Sequence, residues 1–253
     1  MEVRARAGTD RMIDEEFQRG DHAPGPAGRQ PVLNAPSVVL AAVAALALAH
    51  LALRFLPAPA AEAIEWAGAA SPRRFFADLG RGALLGVLPL ATHMLLHNGF
   101  MHLVLNSLWL AAFGTPVARR LGASEKWRRD RRADLTFLML FVLSGVAGAL
   151  AYVILHPKSS AILIGASGGV SGLLGAFVRF GLEPRAAQAG FSSLASQRVI
   201  IWTAAIVLLN VGFGAFAPLL GFGAANVAWE AHLGGYAFGL LMFPAFARFA
   251  ARV

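Results

Sequence analysis

The chain has 253 residues, of which 57% are hydrophobic and 14% charged, with a mean hydropathy of +0.60. Soluble domains carry about 25% charged residues, so this composition excludes an ordinary soluble protein, and it excludes disorder, which needs low hydrophobicity with high net charge. With no cysteine, disulfides, iron–sulfur clusters, thiolate zinc sites and a cysteine nucleophile are excluded, and the formal charge of +8 has to be judged by where it sits.

Residues 1–35 are polar and rich in Arg, Asp, Glu, Gly and Pro, and read as a flexible tail. No apolar run near the start suggests a signal peptide. Residues 36–253 read as one membrane domain. Its first apolar run, Val38–Leu56, is long enough to cross about 30 Å of hydrocarbon as a helix. Residues 57–82 are too polar to span and predict an interfacial loop with short helices. Asn98-Gly99 is a turn signal, and a second span follows over Phe100–Phe113. After a basic stretch, Arg119 to Arg132, come Leu135–Leu155, Ser167–Phe180, Val199–Leu219 and His232–Phe249. The expected class is an all-α polytopic membrane protein with six transmembrane helices.

Charge supports an even number of spans. With both termini in the cytoplasm, the tail, 114–134, 179–198 and the C-terminus hold 17 of the 22 Lys and Arg. The opposite side holds Arg54, Arg73, Arg74, Arg81 and Lys158. Cytoplasmic loops attract this excess, and anionic lipid headgroups are its natural contact. No nucleic-acid partner is expected.

The fourth span is short. Ser167–Phe180 is 14 residues, roughly 21 Å of helix against a core of about 30 Å. The preceding 161–166 is therefore irregular chain at membrane depth, which is tolerated only inside protein or beside a water-filled cavity. Ser167 lies in Gly165-Ala-Ser-Gly168-Gly169, at a helix start whose N–H groups and dipole suit a developing anion. The same residues also fit a plain N-cap with packing glycines.

A second group is His93, His97, His102 and Asn106. The last two are four apart and share a helix face, so both can donate toward one point. His93 and His97 precede the turn and are expected to anchor the loop by hydrogen bonds. A third group is Glu230-Ala-His232-Leu-Gly-Gly235, with Gly239 beyond it. Gly235 and Gly239 make a small-residue face, as do Gly168, Gly172 and Gly175, so spans four and six can pack closely enough to bring His232 to Ser167. Serine needs a base to become nucleophilic near neutral pH, and His232 can supply one. Glu230, two residues away, points off that face, so a Ser–His dyad is expected rather than a triad.

These three motifs, in this order, resemble those of the rhomboid family of intramembrane serine proteases, over roughly residues 36–250. The resemblance implies a six-helix core with Ser167 as nucleophile and His232 as base. It further implies an oxyanion hole lined by His102, Asn106 and the Ser167 backbone N–H, and substrates that are single-span membrane proteins. No cofactor or metal is implied. Two features depart from the family. Bacterial members often carry a Trp-Arg pair just before the histidine cluster, where this chain has Gly86-Val-Leu-Pro89-Leu-Ala. Some carry a Tyr four residues after the serine, where this chain has Ser171. Composition and the lack of targeting signals suggest a bacterial plasma membrane. Two other readings stay open: an inactive rhomboid-like binder of membrane substrates, and a histidine-lined metal transporter. The latter lacks any Asp or Glu within residues 83–113.

Overall fold

The computed structural model describes residues 35–125, 130–181, 190–216 and 228–251. The expected tail and the end of the fifth span beyond residue 216 lie outside the described residues. Nine α-helices are described: α1 Ser37–Arg54, α2 Ala58–Gly68, α3 Pro72–Gly80, α4 Pro89–Thr92, α5 Phe100–Arg120, α6 Arg131–Leu155, α7 Ser167–Gly181, α8 Gln197–Phe216 and α9 Trp229–Ala251. Among the described residues the only β-pairing is an isolated bridge between Ala70 and Leu163. The protein is an all-helical, multi-pass membrane bundle. By length and composition α1, α5, α6 and α9 are each able to cross a bilayer, and α8 is apolar over Gln197–Gly212. α7 has 15 residues, so its shortness is real.

Local chemistry sets the boundaries. Pro57, Pro72 and Pro89 stand at or just before helix starts, where the missing N–H costs no bond. Asp130 caps α6 by accepting from the Arg132 and Ala133 N–H groups at 3.1 and 3.0 Å. The second span ends later than the expected Phe113. Gly114-Thr-Pro116 does not break α5, because Gly114 sits against Phe137 and Val39, and an embedded proline removes a single ladder bond. The stop is Gly122, whose φ of +95° is the left-handed region glycine favours, with the Ala123 N–H bonded back to the Ala118 carbonyl at 2.9 Å.

α7 is the centre of the bundle, with α5, α6 and α9 packed around it. The core includes Leu110 of α5, Phe137 and Leu140 of α6, Leu173 of α7 and Phe243 of α9, each 0% exposed. Large apolar side chains such as Leu48, Leu108, Ile154, Leu208 and Leu241 point outward. On a soluble protein so many would be a liability, whereas on a bundle in lipid they are the surface matched to the acyl chains.

In hydrocarbon, helices gain from close van der Waals approach, not from expelling water, so small residues mark the seams. A Cβ at Gly235 would land on the Gly168 carbonyl, one at Gly239 on the Gly172 backbone, and one at Gly175 on the Tyr236 carbonyl. A Cβ at Gly148 of α6 would strike the Ala231 carbonyl of α9. The starts of α7 and α9 are thereby held together, backbone against backbone.

Candidate active site

Glycine contact between α7 and α9 sets side chains from their first turns side by side. Ser167 opens α7, and His232 lies in the first turn of α9. Ser167 Oγ and His232 Nε2 are 2.8 Å apart, although 65 residues separate them in sequence. His232 Nδ1 is 2.9 Å from Asn210 Oδ1 on α8. The expected dyad therefore has a third hydrogen-bonding member, and it is an amide from the fifth span. Sequence reasoning looked for an acid near His232 and missed Asn210. The available signal was an asparagine inside a 20-residue apolar helix, a costly placement that usually marks a partner.

Glu230 is engaged elsewhere. Its Oε1 lies 2.7 Å from His156 Nε2, just past the end of α6, and the residue is only 8% exposed. This pair ties the start of α9 to the C-terminus of α6.

The second histidine group divides. The Asn98 backbone N–H donates to His102 Nδ1 at 3.3 Å, so the neutral ring carries its proton on Nε2. That edge faces Gly165: a Cβ there would sit 2.8 Å from both His102 Nε2 and Cε1 and 3.9 Å from Asn106 Nδ2. Gly165 has φ +112°, a conformation closed to most side chains, so glycine is required both by backbone shape and by space. Asn106 is buried, with its Nδ2 donating to the His102 carbonyl at 2.9 Å. The first backbone bond at the α7 start is from the Val170 N–H to the Ala166 carbonyl at 3.0 Å, leaving the Ser167, Gly168 and Gly169 amides as the free helix-start donors. Two donor sets, the α5 side chains and the α7 amides, thus border the space beside Ser167.

His93 anchors the loop through both its parts. Its Nδ1–H donates to the Pro89 carbonyl at 3.1 Å, and its own carbonyl accepts from the Gly165 N–H at 2.9 Å. His97 packs against the second-helix histidine. Its ring is buried and meets His102 edge-on at 5.2 Å, with the Leu95 backbone beside it, though neither ring nitrogen makes a well-formed hydrogen bond. No group of three or more metal-ligating side chains occurs among the described residues.

The outer loop holds the irregular segment in place. Ala70 and Leu163 exchange backbone bonds at 3.1 and 2.7 Å, and the Arg73 N–H donates to the Ser159 carbonyl at 3.0 Å. Met94 plugs the bundle, filling the space a Cβ at Gly145 or Gly169 would take. The loop also has a Trp–Arg pair, though not at 86–91. Arg74 stacks 4.5 Å above the Trp66 ring and donates to the Trp66, Ala67 and Ala69 carbonyls.

Fold and site together define a multi-pass helical membrane protein with a hydrogen-bonded serine and histidine at the starts of two helices packed through glycine. The rhomboid domain family matches residues 85–249, about two-thirds of the chain, and the protein belongs to the rhomboid family. It is 31% identical over 146 residues to the rhomboid protease GluP of Bacillus subtilis, covering 58% of this chain and 23% of that one. Against rhomboid protein 1, mitochondrial, of Saccharomyces cerevisiae it is 34% identical over 158 residues, 57% of this chain and 38% of the relative. Against rhomboid-like protease 5 of Toxoplasma gondii it is 29% identical over 154 residues, 58% of this chain and 15% of the relative. The chain therefore matches well under half the length of these relatives.

Proposed function

We propose that this protein is an intramembrane serine endopeptidase, with Ser167 as nucleophile and His232 as general base. The observation that carries the reading is the 2.8 Å approach of Ser167 Oγ to His232 Nε2, within the distance proton transfer requires. Family membership and the two named proteases among the relatives support it.

In this reading Ser167 Oγ attacks the substrate carbonyl carbon as its proton passes to His232 Nε2. The carbonyl oxygen becomes an anion facing the Ser167 N–H, His102 Nε2–H and Asn106 Nδ2, all preorganised donors. His232 then gives its proton to the departing amine, leaving an acyl-serine. Water, activated by the same imidazole, hydrolyses the ester and restores Ser167. No cofactor or metal enters. The substrates are single-span membrane proteins, which reach the site through the bilayer. The protein sits in a cell membrane, of bacterial inner-membrane type, with both termini cytoplasmic.

The test is cleavage of a tagged single-span protein in liposomes, together with labelling by a serine-directed fluorophosphonate. Wild type is expected to cut and label, Ser167→Ala to do neither, and chelators to change nothing. A wild-type protein that pulls down the substrate yet neither cuts nor labels would overturn this reading in favour of an inactive binder.

A further inference from the structure

We infer that Asn210 is a positioning residue that fixes the proton arrangement of His232, making the site a Ser–His–Asn relay. The inference rests on the peptidase reading above and concerns how its base is kept competent.

The hydrogen-bond directions follow from the donors and acceptors alone. Asn210 Nδ2 donates to the Ile206 carbonyl one turn back on α8, at 2.9 Å. That bond sets which way round the amide lies and leaves Oδ1 toward His232, at 2.9 Å from Nδ1. An amide oxygen only accepts, so Nδ1 must carry the hydrogen. In a neutral imidazole Nε2 is then bare, and at 2.8 Å it can only accept from the Ser167 hydroxyl. One amide thereby selects the tautomer that can take the serine proton and orients the ring. When Nε2 takes that proton, the imidazolium keeps Nδ1–H on Asn210 Oδ1. The relay carries no negative charge behind the imidazole. The other titratable groups near it are His102 on α5 and Glu230 on its own helix, and Glu230 is paired with His156 past α6.

Asn210 also helps hold α8 against α9. A second bond on the same seam, between Thr203 Oγ1 and Tyr236 Oη at 2.8 Å, lies seven residues earlier on α8 and four residues later on α9. Thr203→Val removes that bond without touching the imidazole, so it separates loss of helix docking from loss of positioning.

The experiment measures fluorophosphonate labelling rate and substrate cleavage against pH for wild type, Asn210→Leu, Asn210→Asp and Thr203→Val in the same liposomes, with thermal stability as a folding control. Losing a group that orients a histidine costs about 10–100-fold at metal sites, and Asn210→Leu is expected to fall by that order in both readouts. Asn210→Asp is expected to recover part of the rate. Its carboxylate also accepts from Nδ1–H but favours the charged imidazole, so the acid limb of the pH profile moves to higher pH. Thr203→Val is expected to keep the wild-type profile. The inference is overturned if Asn210→Leu labels at the wild-type rate with an unmoved acid limb. It is equally overturned if Asn210→Asp and Thr203→Val both match Asn210→Leu. A wild-type protein that does not label would remove the peptidase reading itself, and this inference with it.

Discussion

A serine hydroxyl gains nucleophilic power only when its proton has somewhere to go, and in the proposed mechanism that place is Nε2 of His232, 2.8 Å from Ser167 Oγ. The charge that then develops on the substrate oxygen needs donors fixed beforehand. His102 is fixed because the Asn98 N–H occupies its Nδ1 and leaves the Nε2 proton toward Gly165. His102→Ala is therefore expected to lower kcat by about 10²–10³-fold with KM little changed, as for removal of one oxyanion donor. Substrate titration in liposomes measures both quantities. A change in KM alone would assign His102 to substrate binding. His97 meets His102 edge-on at 5.2 Å and supports it by packing.

At the scale of elements, the site depends on how near α9 comes to α7. The seam has no room for a side chain at Gly239, whose Cβ would meet the Gly172 backbone, and backbone cannot swing aside. Overpacking typically costs about 1–3 kcal/mol. Gly239→Ala is expected to lose stability of that order and, by prising α9 from α7, to slow labelling of Ser167. Gly212 of α8 has nothing within 4 Å of its would-be Cβ. There Gly→Ala removes the chain-entropy penalty of glycine in a helix, and a gain of roughly 0.5–1 kcal/mol is expected. Thermal unfolding in one detergent checks the pair; equal effects at both positions would show that the seam is not what limits packing.

For the molecule as a whole, the distribution of charge predicts an orientation in the membrane. Seventeen of 22 Lys and Arg fall on the tail, the 114–134 and 179–198 segments and the C-terminus. The positive-inside bias then predicts that reporters at either end face the cytoplasm. Fusions active only in the cytoplasm are expected to work at both termini, and a difference between the two ends would require an odd number of crossings. In that orientation Ser167 and His232, at the starts of α7 and α9, face the opposite side of the membrane from the basic loop after α5. A peptidase so placed would cut near the outer ends of its substrates' spans.

Read by itself, the sequence determined the membrane class, the apolar helices with the short one among them and the motif residues, because each depends on local spacing. An apolar run long enough to span, a proline or glycine at a boundary and two polar residues four apart act within a few residues of one another. The glycine faces at Gly168, Gly172, Gly235 and Gly239 were legible for the same reason. The late end of α5 was harder to read, since Gly114 and Pro116 carry a breaker's signature, and only the packing of Phe137 and Val39 against Gly114 shows why the helix continues. Tertiary structure alone decided the partners. Asn210 meets His232 across 22 residues, Glu230 turns to His156 across 74, and Arg74 reaches back to Trp66 in place of a pair near residue 86. A hydrogen bond between helices depends on rotation about two axes and on the depth at which each polar group sits. Those quantities are set by packing across the whole bundle, and no local pattern in the chain encodes them.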